Sequence, residues 1–293
     1  MSSPDPEIKV IGGKNNFWLF RPDEGQGGSY DLTHPPTPSS PLIFPRIPLE
    51  TTKERIIIDP AKTALVVVDF QNFFLSPLLP GRPVDGAGLE AVGRLVKHAI
   101  PACRKAGIPI VWLGWGLTDD DIEDMPPAIV KAFARPGRVP MGQAGGLGSD
   151  IGKLTREDGT SIQGGRMLMR DQWNTAFYPS LVAVSEPERD ITVHKNRLSG
   201  FWGSGGDTEI EKTLKSRGIR TLLFSGCNTD QCVGGSLQDA FSKGWDCLML
   251  SDVCATSSPA FAQQMVEYNC EGAWGFVLTC EQLAEGVRNM QTQ

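Results

Sequence analysis

TLLFSGCNTDQCVGGSLQDA, residues 221–240, is the stretch on which the fold turns. Residues 219–225 are apolar enough for a fully buried parallel strand. Asn228, Thr229 and Asp230 are the residue types that cap a helix and tolerate unusual backbone angles. The segment therefore reads as strand, tight turn and helix. Cys232, six residues after Gly226, falls in the first turn of that helix. Free N–H groups and the positive end of the helix dipole favour thiolate over thiol there, which predicts a pKa below the ordinary cysteine value. The same amides are suited to hold an oxyanion formed when sulfur attacks a carbonyl. Position alone does not make Cys232 a nucleophile, because cysteine is among the most buried residue types and the chain has seven.

Two other strand ends strengthen the reading. TALVVVDFQNFF (63–74) is a β-branched apolar run that ends in Asp69, and ITVHK (191–195) is a shorter one that ends in Lys195. An acid directly after a buried strand lies at the carboxyl edge of the sheet, where open α/β sheets bind ligands. Taken singly, each of Asp69 and Lys195 reads as a helix cap or a surface charge. Together with Cys232 they supply the proton acceptor, charge partner and nucleophile of covalent acyl chemistry.

Beyond residue 55 strand and helix signals alternate. Strands are expected at 63–69, 108–115, 191–195, 219–225, 246–251 and 274–279, and helices at 88–106, 208–217, 230–243, 259–270 and 281–290. Gly107, Gly218 and Gly244 stand just past predicted helices, as C-terminal caps do. Such alternation predicts an α/β fold: a single-domain, three-layer, doubly wound six-stranded parallel sheet with helices on both faces over 56–293. Residues 116–170 read as an insertion, a candidate lid or subunit contact, with an acidic helix start at 119–124 and a glycine-rich run at 142–152. There is no internal repeat and no dinucleotide fingerprint.

Residues 1–55 differ. Residues 31–50 contain six prolines, at 35, 36, 38, 41, 45 and 48, and glycines cluster at 25, 27 and 28, which excludes a helix and barely permits an edge strand. The segment reads as an extended arm. Its aromatic residues Phe17, Trp18, Phe20, Tyr30 and Phe44 need a surface, either their own domain or a neighbouring subunit, so a homo-oligomer, dimer or tetramer, is expected.

Composition bounds the partners. At 293 residues, 40% hydrophobic and 21% charged, the chain has the make-up of a globular domain with a sizeable core. A net charge of −6 offers no electrostatic footprint for nucleic acid. No apolar run approaches a membrane span and Met1 to Lys9 is too polar for a secretory signal, so a cytoplasmic setting is expected. An odd cysteine count argues against a disulfide framework.

At this point the chain resembles the isochorismatase-like cysteine hydrolases, the superfamily of nicotinamidases, N-carbamoylsarcosine amidases, ureidoacrylate amidohydrolases and isochorismatases. The matching pieces are VVVDFQNFF around Asp69, HKNRLSGF around Lys195, and SGCNTDQCV with LQDAFSKGWDCLMLSDVCAT around and after Cys232. The resemblance runs from about residue 60 to 285. It implies Asp69 as general base, Lys195 as supporting cation and Cys232 as nucleophile. It further implies a cis peptide between Cys227 and Asn228, with the backbone N–H groups of Asn228 and Cys232 as oxyanion hole. Cysteine at position 232, where vinyl-ether-cleaving isochorismatases carry glycine, favours attack on an amide or ureido carbon. Nicotinamidases add an Asp and His metal site, but none of His34, His98 and His194 follows Asp69 at that spacing, so no metal and no cofactor are expected. Gly234 and Gly235 depart from the bulkier residues usual in the family, and 203–207 looks longer.

Phe74, Trp115, Trp173, Phe201 and Trp202 are the candidate substrate walls, with Phe73 and Trp112 nearby. They suit a small planar or aromatic acyl compound; a highly charged substrate would need basic residues that the sequence does not place. The expected activity is cleavage of a C–N bond, amide or ureido, through a thioester. The alternatives are isochorismatase-type or other non-amide hydrolysis, and a binding protein that has kept the fold and lost turnover.

Overall fold

The computed structural model of the chain describes residues 8–22, 27–134 and 145–293. Along them run β1 (Lys9–Gly13), β2 (Asn16–Arg21), β3 (Ser29–Asp31), β4 (Ile47–Glu50), β5 (Arg55–Ile58), β6 (Thr63–Val68), β7 (Ile110–Trp115), β8 (Lys153–Thr155), β9 (Ser161–Gln163), β10 (Ile191–Lys195), β11 (Thr221–Cys227), β12 (Asp246–Ala255) and β13 (Phe276–Leu278). Six of these form one all-parallel sheet in the order β10-β7-β6-β11-β12-β13. The expected doubly wound α/β sheet is the observed one.

Strand periodicity sets its layers. Along β6, Ala64, Val66 and Val68 enter one core, and Leu65 and Val67 the other. Neighbouring β11 divides the same way, Leu222 and Phe224 against Leu223. The first core is closed by helices Glu209–Ser216, Gly234–Ser242 and Ala260–Asn269, through Leu214, Leu237 and Val266. The second is closed by Ala87–Arg94, Ile100–Ala106 and Cys280–Arg288, through Val92, Cys103 and Leu283. Both faces are covered, which is why these strands are apolar throughout and not alternating.

The chain winds outward from β6 to β7 and β10, returns to β11 on the far side of β6, and winds outward again to β13. That reversal leaves a crevice at the carboxyl ends of β6 and β11. Gly226 lets the two strands meet there. Its φ is 134°, and a Cβ on it would stand 2.1 Å from the Val68 carbonyl oxygen.

The described part of residues 1–55 is not an extended arm. It forms a second sheet, β1-β2-β3-β5-β4, completed by β5 and antiparallel except between β3 and β5. Pro48 is accommodated because β4 is the edge strand of that sheet, where a missing N–H breaks no ladder bond. The five prolines from 35 to 45 fall between β3 and β4. The sheet docks on its own chain. Ile47, Leu49, Ile56 and Ile58 join the second core, the Trp18 indole N–H donates to Asp246 (2.7 Å), and His34 Nε2 lies 2.5 Å from the same carboxylate. Deleting residues 1–50 therefore removes Leu32, Ile47 and Leu49 from a packed layer, at roughly 1.5–3 kcal/mol each. Thermal unfolding should show a loss of several kcal/mol; an unchanged Tm would mean the sheet is a passive cover.

Residues 116–170 contain the short helices Asp119–Glu123 and Pro127–Phe133 and the hairpin β8–β9. Part of the glycine-rich run lies outside the described residues. Among the described residues no helix is long and apolar enough to cross a membrane.

Candidate active site

Asp69 leaves the end of β6 with φ 53°, a left-handed conformation that aspartate tolerates better than most residues. Its backbone N–H donates to the Leu113 carbonyl (2.9 Å), and its carboxylate is fully buried. Lys195, the last residue of β10, places Nζ 2.9 Å from Asp69 Oδ2. The same ammonium donates to the carbonyls of Arg197 (3.2 Å) and Leu198 (3.1 Å) and lies 4.1 Å from the centroid of the Trp115 ring. A buried ion pair is helped by further hydrogen bonds, and the two carbonyls supply these for the ammonium, while Asp69 Oδ2 has the ion pair alone. The Trp115 backbone N–H adds a 3.2 Å bond to Asp69 Oδ1.

Cys232 approaches from β11. That strand ends at Cys227, whose peptide bond to Asn228 is cis, as the resemblance implied. The chain then makes one wide helical turn, Thr229–Val233, in which Val233 N–H reaches the Asn228 carbonyl five residues back (3.2 Å). Cys232 lies in this turn, near enough to the Asp69 carboxylate and the Lys195 ammonium for both charges to act on its thiol. The three residues read from separate strand ends are thus brought together.

The expected lowering of the thiol pKa is overturned. Burial pushes Cys232 up to about 12, the negative charge of Asp69 adds to the effect, and Lys195 and the Trp115 indole pull the other way without offsetting it. Burial also raises Asp69, against the opposing pull of Lys195. A helix terminus cannot outweigh desolvation at a site this closed. The shift favours thiol over thiolate at neutral pH, with the Asp69 carboxylate beside it. Alkylation of Cys232 by iodoacetamide should accordingly rise about tenfold per pH unit between pH 7 and 10, as the thiolate fraction does. Mass mapping of the labelled thiol measures this; a plateau below pH 8 would mean a preformed thiolate. The other six cysteines are also buried and unpaired, so exposure singles out none of them.

Gln71 was not singled out from the sequence. Its side chain accepts from the Trp115 N–H (3.0 Å) and donates to the carbonyls of Trp115 and Thr175 (both 2.7 Å), which locks the end of β7 over Asp69. Its place two residues after Asp69 was the available signal. Of the candidate walls, Phe74 lines a cavity of about 510 Å3 that also touches Cys227 and Asn228. Trp115 is buried against Lys195 and meets Phe133 of the 116–170 segment edge-on at 5.2 Å. Trp173 is half-buried, its carbonyl accepting from Asn72 Nδ2 (2.9 Å). Phe201 and Trp202 lie elsewhere. Phe201 packs in the core, 6.1 Å from both Phe224 and Trp245, and half-exposed Trp202 stacks under Arg197 beside a separate groove. Neither they nor Trp115 and Trp173 line the cavity at Asn228. Among the described residues no group of three or more His, Cys, Asp or Glu side chains is placed to hold a metal ion.

A doubly wound parallel sheet with a buried carboxylate–ammonium pair at its switch point is the framework of an α/β hydrolase. The chain belongs to the isochorismatase family, whose domain matches residues 63–274, from β6 to just before β13. It is 32% identical over 239 residues to the ureidoacrylate amidohydrolase RutB of Rhizobium rhizogenes (strain K84), covering 80% of this chain and 86% of that one. The corresponding protein of Caulobacter segnis is 29% identical over 255 residues, 85% of this chain and 94% of its own. Among solved structures, a cysteine hydrolase from Pseudomonas syringae pv. phaseolicola 1448A superposes with a TM-score of 0.60 at 18% identity, over 86% of this chain and 99% of that one. An N-carbamoylsarcosine amidase from Thermoplasma acidophilum does so at 0.52 and 20% identity, over 75% and 97%. These two share the fold.

Proposed function

We propose that this protein hydrolyses a C–N bond, amide or ureido, of a small molecule through a thioester on Cys232. The observation that carries the reading is the buried Asp69–Lys195 ion pair at the switch point, whose two charges act on the Cys232 thiol. Asp69 takes the thiol proton as sulfur attacks the acyl carbon, so that thiolate forms only as it reacts. Lys195 keeps Asp69 an acceptor in spite of its burial. The oxyanion is received by the backbone N–H groups of Asn228 and Cys232. Protonated Asp69 then delivers its proton to the leaving nitrogen, and the C–N bond breaks. The same carboxylate next removes a proton from water, which attacks the thioester, and the proton returns to sulfur as the acid departs. The ureidoacrylate amidohydrolases to which the chain is similar support the choice of bond.

A panel of small amides, ureido acids and isochorismate tests this with wild type and Cys232→Ala in parallel. Release of ammonia or amine by wild type alone is expected. Loss of pyruvate from isochorismate by both proteins, or no turnover at all, would overturn it.

A further inference from the structure

Trp115 carries a buried donor that the fold leaves idle. The residue is fully buried at the end of β7, yet its indole N–H has no hydrogen-bond partner among the described residues. Such an orphan weakens a fold, because the donor has given up water without gaining an acceptor. The ring around it is held in place from several sides. Lys195 Nζ, itself 2.9 Å from Asp69 Oδ2, lies 4.1 Å from the ring centroid, and Phe133 packs on the ring at 5.2 Å. The backbone N–H of Trp115 donates to Asp69 Oδ1 (3.2 Å) and Gln71 Oε1 (3.0 Å), while Gln71 Nε2 donates to its carbonyl (2.7 Å). Cys232 belongs to the same packed cluster, and the indole is near enough to favour the anionic form of its sulfur.

Lys195 has no donor left for the sulfur. An ammonium has three N–H groups, and Asp69 and the carbonyls of Arg197 and Leu198 engage three. A donor without a partner in the resting enzyme, set in the cluster where charge appears, is arranged for a bond made only during reaction. We propose that the Trp115 indole N–H is a catalytic hydrogen-bond donor to the Cys232 sulfur, bound to it while the sulfur carries negative charge. As the S–H bond breaks, its proton passes to Asp69 and the electron pair stays on sulfur; the indole keeps its own proton and shares it with that pair. Once sulfur bonds to the acyl carbon, the charge moves to the oxyanion and the hydrogen bond weakens. It re-forms when the thioester breaks and sulfur departs with the pair. The inference rests on the C–N hydrolase reading for the reaction, and on the cluster of Asp69, Lys195 and Trp115 for the donor.

The test puts 3-benzothienylalanine in place of Trp115 in the full-length protein, an isostere in which sulfur stands where the N–H was. Losing a hydrogen bond to a charged sulfur lowers the thiolate fraction by about 10- to 100-fold. The more basic thiolate is also the better nucleophile, so alkylation of Cys232 by iodoacetamide should slow by about 3- to 10-fold at each pH from 7 to 9. On the amide or ureido acid that wild type cleaves best, kcat should fall by a similar factor with KM little changed. Trp115→Phe, which keeps an aromatic face for Lys195, should show the same loss in kcat. Because an orphaned donor is removed, the melting temperature of the isostere should hold or rise. A purely structural indole would instead lower it and leave alkylation of the folded protein unchanged. Alkylation or kcat unmoved by the isostere overturns the inference. Slower alkylation in a protein that cleaves no C–N bond would sustain the donor and defeat the hydrolase reading. C–N cleavage with both rates indifferent to the indole N–H would do the reverse.

Discussion

Asp69→Asn is expected to lower kcat/KM by about 10²- to 10⁴-fold, the usual contribution of a positioned general acid–base group. The amide oxygen still accepts hydrogen bonds, but it cannot take the proton of a thiol whose pKa stands near 12. The pH profile separates this from a general loss of structure. In the wild type, protonation of Asp69 removes the acceptor, so activity falls as pH drops through its pKa. Burial raises that pKa, which sets the acid limb above the ordinary aspartate range. The limb should vanish in Asp69→Asn. Stopped assays of kcat/KM from pH 4 to 9 measure both features, and a fully active variant would remove Asp69 from the mechanism.

Lys195→Met is expected to cost about 3–5 kcal/mol of stability at neutral pH in addition to activity, because it leaves a fully buried carboxylate with no counter-charge. The sign of the pH dependence follows. Without the ammonium the folded-state pKa of Asp69 lies still further above its unfolded value, so the folded state binds the proton more tightly. The deficit therefore shrinks as pH falls through the raised folded pKa. The double variant Asp69→Asn/Lys195→Met should regain much of the lost stability, since no isolated charge remains. Urea unfolding of the two single variants and the double variant at pH 5 and 7.5 tests the cycle. Additive losses would mean that the two side chains do not act as a pair.

The parallel sheet was legible because its signals are local. TALVVV and TLLFSGC are buried on both faces and are therefore largely apolar, ITVHK at the sheet edge alternates in burial, and Gly107 and Gly218 mark helix ends between them. Strand ends in such a sheet lie at one edge, so Asp69, Lys195 and Cys232 could be assigned to a common region before any coordinates. The second sheet was hidden because its strands are three to six residues long and are separated by prolines and glycines, and because the residues it packs on lie far away in sequence. Trp18 and Asp246, which tie it to the domain, are 228 residues apart.

By itself the sequence determined which residues end which strands, and with that the chemistry available at the switch point. Tertiary structure alone decided the state of that chemistry. The thiol pKa depends on how much water its neighbours exclude, and those neighbours come from β6, β7 and β10 as well as from its own turn. The choice among aromatic walls was decided in the same way. A local pattern specifies strand or helix, whereas burial and facing direction are properties of the assembled layers.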